Sequence, residues 1–150
     1  MNMAMHTVGR ISEVLGISGA TIRSWLRRGN ITLSSDDIAS PRSTLPAMLT
    51  TRTALRMAFF AVLSKTMEPN DAARVAEEVV QHGVLYSTKK FAIIGDEPPR
   101  LIGLVDREDR VEAAVGKLGF LHIIDMRSIE GPVRTKLATL SLQELEREAA

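Results

Sequence analysis

Three arginines, Arg23, Arg27 and Arg28, sit within six residues of one another in a segment that has no acidic residue between Ser18 and Ser35. Around them stand Ser18, Gly19, Ala20, Thr21 and Ser24, all small or hydroxyl-bearing. This set suits contact with a nucleic acid. Guanidinium groups reach guanine edges or phosphates, and small residues let a helix N-terminus come close to a phosphate. On this reading Arg23 meets a base edge or a phosphate, while Arg27 and Arg28 meet phosphates. The same three arginines also fit a solvated helix face whose aliphatic stems cover the core.

Other chemistry has little to stand on. There is no cysteine, which excludes disulfides and thiolate metal ligands. His6, His82 and His122 are far apart in sequence, and no metal site is expected from them. Asp96, Glu97, Asp106, Glu108 and Asp109 fall mostly in turn-like stretches, where solvated charge is the ordinary expectation. No phosphate-binding glycine loop, nucleophile elbow or His-Glu zinc pair occurs. The expectation is a protein that is not an enzyme, with no catalytic residue, cofactor or metal.

The elements that would carry the arginines are legible. Thr7 can cap a helix with Val8, Ile11, Val14 and Leu15 on one face. Gly16 ends it with a positive φ, Ile17 anchors the turn, and Ser18 caps a second helix over residues 19–28. In that helix Ile22 and Leu26, with Trp25, face inward, and Gly29 stops it. Two short helices joined by a tight turn, the second basic, form a helix-turn-helix with residues 19–28 as recognition helix.

The segment resembles the DNA-binding domain of the MerR family of transcriptional regulators. The match runs through Thr7-Val8-Gly9, Ile11, Gly16-Ile17-Ser18, Thr21-Ile22-Arg23, Trp25 and Arg28-Gly29. It is closest over 6–31 and extends at most to about residue 80. The resemblance implies a winged helix-turn-helix that binds DNA as a dimer. It places Arg23 on the DNA backbone or a base, and Trp25 where helix meets wing. Three features depart from the family. Arg10 stands where an acidic residue is usual, and Trp25-Leu26 where a tyrosine-glutamate pair is usual. The stretch from Thr32 to Arg42 lacks the Gly-Tyr-Arg segment of the family's wing, so Arg42 is the basic residue left for a wing contact and promoter-spacer distortion is not carried over.

Further along, Ser40 to Pro46 is turn-rich. Thr50 or Thr51 opens a strongly apolar helix running from Arg52 to Lys65, with Arg52 and Arg56 four apart, a spacing that fits a phosphate brace and simple surface placement equally. Glu68 to Asp71 breaks it. Asn70 or Asp71 starts another helix, which ends before Gly83. The pattern then predicts strands at 84–87, 91–94, 101–106 and 120–125, with a turn at 95–99 and a helix at 109–118. Two closing helical segments, 129–140 and 141–149, follow, the second capped by Ser141 with Glu144 three residues on. The long C-terminal coiled coil that dimerises better-known members of the resembled family is absent.

The chain has 150 residues and a net charge of +1, unevenly spread. Residues 1–60 hold seven arginines against Glu13, Asp36 and Asp37, a net +4, which leaves −3 for the rest. A basic head on an acidic body suits a polyanion-binding protein that stays soluble. Apolar residues are 45%, enough for a core, but no apolar run is long enough to span a membrane. No signal peptide is evident, and a cytoplasmic location is expected.

The expected architecture is mainly α with small β content. Residues 1–83 form a MerR-like winged helix-turn-helix DNA-binding domain with accessory helices, and 84–150 a small α/β domain for dimerisation or partner binding. The expected function is a sequence-specific, DNA-binding transcriptional regulator acting as a homodimer on double-stranded DNA, with RNA polymerase or a recombinase as further partners and no membrane association. Two alternatives fit the same residues: an excisionase-like or architectural DNA-bending factor, and a protein-binding adaptor that meets no DNA.

Overall fold

In the computed structural model the described residues are 4–40, 46–112 and 121–149. They combine helices with two small antiparallel sheets. The chain forms two compact units. One is Met1–Leu55 with Gly131–Ala150 and the other is Arg56–Glu130.

In the first unit, strand β1 (Met5–His6) leads into helix α1 (Val8–Leu15). Thr7 caps α1 by accepting the Arg10 N–H at 3.1 Å, and Val8, Ile11 and Val14 are buried. Gly16 ends α1 with φ 66°, a conformation that costs glycine little, and its N–H bonds the Ser12 carbonyl at 2.9 Å. The Ser12 hydroxyl holds the turn by donating to the Ile17 carbonyl at 2.5 Å.

Helix α2 (Gly19–Arg28) begins at Ser18, whose hydroxyl accepts the Thr21 N–H at 3.2 Å, and stops at Gly29 with φ 77°. Ile22 is fully buried, while Trp25 and Leu26 are half-buried, so the inward face rests chiefly on one residue. Ile31, just past the turn, is buried as well.

The chain then makes an excursion that leaves at Ile38 and returns at Met48, the two joined by paired backbone hydrogen bonds of 2.8 and 2.9 Å. Strand β2 (Leu49–Thr50) pairs antiparallel with β1, Met5 opposite Thr50 and His6 opposite Leu49. Helix α3 (Thr51–Leu63) starts at once. As expected, Thr50 opens it, its hydroxyl accepting the Thr53 N–H at 3.2 Å.

The second unit is built on a three-stranded antiparallel sheet. Strand β3 (Phe91–Asp96) lies between β4 (Pro99–Val105) and β5 (Leu121–Asp125). Phe91, Ala92, Ile93 and Ile94 are all buried, so the central strand is covered on both faces. The β3–β4 turn is the Glu97–Pro98 pair, and the register shifts between Ile93 and Ile94.

Helix α4 (Pro69–Glu78) clamps the start of β4 through side chains at its middle and its C-terminal end. Arg74 donates to the Pro99 carbonyl at 2.6 Å, and Glu78 accepts the Leu101 N–H at 2.9 Å.

Several sequence expectations are corrected here. The helix expected from Asn70 or Asp71 starts at Pro69, whose ring fits the first helical position because no N–H is needed there. It does not stop before Gly83. The chain widens into a π-helical turn over Val79–Val84, with the Leu85 N–H bonding the Val80 carbonyl five residues back at 2.9 Å, so 84–87 is not a strand. Gly83 is needed in that turn, since a Cβ there would collide with the Met126 sulfur.

The two closing segments are one helix, α5 (Met126–Ala149), running through Pro132 and Ser141. Its start is capped by Asp125, whose Oδ1 accepts the Ser128 N–H at 3.3 Å. Ser141 does not cap. Its hydroxyl donates back to the Leu137 carbonyl at 2.9 Å, an alternative open to serine inside a helix. Residues 109–112 are helical as expected, with Glu108 added before them; the rest of the predicted 109–118 helix lies outside the described residues.

Candidate nucleic-acid interface

The caps at Ser18 and Gly29 define the two ends of α2, and burial of Ile22 sets its rotation. With those fixed, Ser18, Ala20, Thr21, Arg23, Arg27 and Arg28 are exposed, and Gly19 and Ser24 are half-buried. Eight of the residues expected at a nucleic-acid contact therefore lie on α2 or, for Ser18, at its N-cap, and remain at least partly open to solvent. The ninth, Arg42, lies outside the described residues.

No hydrogen bond or ion pair engages the guanidinium groups of Arg23, Arg27 or Arg28 among the described residues. Arg23 folds back along its own helix. A Cβ on Gly19 would stand 3.3 Å from Arg23 Nη1. The helix N-terminus is thus partly covered by the side chain that also carries its charge.

Other arginines of the basic head are committed elsewhere. Arg10 donates to the Met5 carbonyl at 3.2 Å, lies 3.3 Å from His6 Nδ1 and pairs with Glu144. Arg56 is only 5% exposed, which removes it from the surface and ends the expectation of a phosphate brace with Arg52. Among the described residues of the head, the arginines without a partner, Arg23, Arg27 and Arg28, all lie on α2.

Two polar centres brace the same unit. His6 is buried, with Nε2 2.9 Å from the Thr51 hydroxyl. Since Arg10 can only donate, His6 Nδ1 accepts and the ring proton lies on Nε2. Burial, then the neighbouring Arg10 charge, hold its pKa below the ordinary histidine value.

Asp37 pins the excursion to the start of α3. Its carboxylate accepts the Ser34 N–H and the Thr50 N–H at 2.8 Å each, and the Thr53 hydroxyl at 2.6 Å. Burial would raise its pKa, but the Thr53 hydroxyl, the Thr50 and Ser34 N–H groups and the Ser34 hydroxyl together bring it below the usual aspartate value. The sequence reading missed this role. Thr50 and Thr53 carry a visible capping pattern, yet nothing local links them to an aspartate 13 residues earlier.

Beside α2 opens a groove of about 690 Å³. Arg23, Leu26 and Arg27 form one wall, the first turn of α1 another, and Leu33, Ala39, Pro46 and Ala47 a third.

Among the described residues no three His, Asp or Glu side chains stand close enough to hold a metal ion. Among them, too, no helix is long and apolar enough to cross a membrane. Comparison of the chain with protein-family models and with curated proteins finds no match to either.

Proposed function

We propose that the protein is a sequence-specific, DNA-binding transcriptional regulator that acts as a homodimer in the cytoplasm, without catalytic activity of its own. The head is a MerR-like winged helix-turn-helix in which α2 enters the major groove. The 38–48 excursion serves as the wing, held to the core by Asp37. Arg23 swings out from Gly19 to a guanine edge, and Arg27 and Arg28 reach the flanking phosphates. Ser18, Gly19, Ala20, Thr21 and Ser24 offer a low surface that lets α2 settle against the duplex, and Arg42 extends the contact from the wing.

One observation carries this reading. Among the described residues, Arg23, Arg27 and Arg28 stand exposed and without a partner on a doubly capped helix whose opposite side is anchored by Ile22, while Arg10 is paired with Glu144 and Arg56 is buried. A solvated helix face would be expected to carry carboxylates among its cations, and α2 has none.

Selection of bound duplexes from a random pool, followed by mass measurement of the complex, tests the proposal. The expected result is a partly palindromic site occupied by two chains. Tandem head-to-tail sites with strong bending would point instead to an architectural factor. Absence of duplex binding even at low salt would overturn the DNA reading and leave an adaptor.

A further inference from the structure

We propose that the groove beside α2 binds a small amphipathic anion: an apolar ring system bearing one carboxylate, sulfonate or phosphate group. Its volume, about 690 Å³, falls within the range of roughly 300–1,000 Å³ typical of small-molecule sites. Val8, Leu26, Leu33, Ala39, Pro46 and Ala47 give it an apolar lining. Leu33 is 41% exposed, a large aliphatic side chain left facing water at the groove wall. Arg23 and Arg27 stand on the same wall of α2, and no carboxylate is among the described residues lining the groove.

The charge pattern selects the ligand. Two guanidinium groups with no carboxylate among the described lining residues favour an anion, through charge-assisted hydrogen bonds. The apolar walls favour an organic body over free phosphate, which could satisfy the arginines but would leave those walls wet. A neutral ring system would fill the volume yet leave both charges unanswered.

A consequence follows that rests on the DNA-binding reading above. Arg23 and Arg27 cannot serve the anion and a duplex at once, so occupancy of the groove competes with DNA. A metabolite of this class would then release the protein from its site without any change of fold.

Anilinonaphthalene sulfonate is a suitable probe of this class, with phenylnaphthylamine as its uncharged parent. Titrated into the full chain and followed by amide NMR, one equivalent of the sulfonate should shift Leu26, Leu33, Ala39 and Ala47. Arg27→Ala and Leu33→Glu should each weaken it about tenfold or more, and the parent should bind about tenfold more weakly than the sulfonate. Lys136→Ala, an exposed lysine outside the groove, should change nothing. Shifts confined to other surfaces, indifference to Arg27→Ala, or equal binding of the parent would overturn the site. Saturating probe should also release a selected duplex, and a duplex that stays bound would overturn the competition. Probe binding in the groove by a chain that binds no duplex would defeat the DNA reading alone and leave the anion site standing.

Discussion

Arg23 lies folded against Gly19, four residues earlier on the same helix, so closely that a Cβ at position 19 would sit 3.3 Å from Nη1. Glycine here leaves room for the guanidinium to rest over the first turn of α2. The obstacle an alanine would meet is the far end of a flexible side chain, not backbone. Gly19→Ala should therefore move Arg23 outward and leave the fold intact, with a stability change within about 0.5 kcal/mol. A changed Arg23 Nε–H resonance with an unchanged urea midpoint would show it. Marked unfolding would mean that the contact is more rigid than the geometry implies.

Asp37 is the clasp of the 38–48 excursion, and its removal should be felt far beyond one residue. Asp37→Ala leaves the Thr53 hydroxyl and the Thr50 N–H without their acceptor. The expected loss is about 2–4 kcal/mol in urea unfolding, from several charge-assisted hydrogen bonds lost together. The carboxylate titrates lower in the folded protein than in the unfolded chain. Its contribution is present above the unfolded value of about 3.9 and is lost as the pH falls through the lower folded value. Asp37→Asn should remove that part of the acid sensitivity.

His6 makes the same unit sensitive at a milder pH. The folded protein keeps the ring neutral at a pH where the unfolded chain takes up a proton. Stability is therefore full above about 6.5 and declines as the pH falls below it, until His6 itself titrates in the folded state. Urea midpoints compared at neutral pH and near pH 5 should show the loss. In His6→Gln, whose amide can still accept from Arg10 and donate to Thr51, the difference between the two conditions should shrink.

In the second unit Arg127 gathers backbone that no strand or helix satisfies. It donates to the carbonyls of Gly83 at 3.1 Å, Ser87 at 2.5 Å and Lys89 at 3.1 Å, and pairs with Glu130 at 2.7 Å. Lysine cannot reproduce the planar fork. Arg127→Lys should cost about 2–3 kcal/mol and raise amide hydrogen exchange in residues 83–90 before the sheet is affected.

What could be read from the residues alone was what is local. Thr7, Gly16, Ser18 and Gly29 announce the ends of α1 and α2 because a cap reaches only three or four residues. Ile22 identifies the inward face because a helix repeats every 3.6 residues. Asp37 and Arg127 stayed hidden because, beyond the neighbours Ser34 and Glu130, the groups they hold lie 13 to 44 residues away. Val84 to Ser87 misled because a short apolar run fits a strand or a buried helical turn equally well. At Ser141 two local options compete, capping forward or bonding back to Leu137, and the surrounding helix decided for the second. The candidate site was legible as a list of residues. That Arg10 would be paired with Glu144 and Arg56 buried, leaving α2 as the open cationic face among the described residues of the head, emerged only from the packing.

The central claim is that the arginine face of α2 reads DNA. It is tested most directly by measuring duplex affinity, footprint and salt dependence of Arg23→Ala and Arg28→Ala on a selected site. The account expects Arg23→Ala to lose about 1–3 kcal/mol and to relax preference at one base position. It expects Arg28→Ala to weaken all sequences alike and to flatten the salt dependence. Unchanged affinity and footprint in both variants would contradict it.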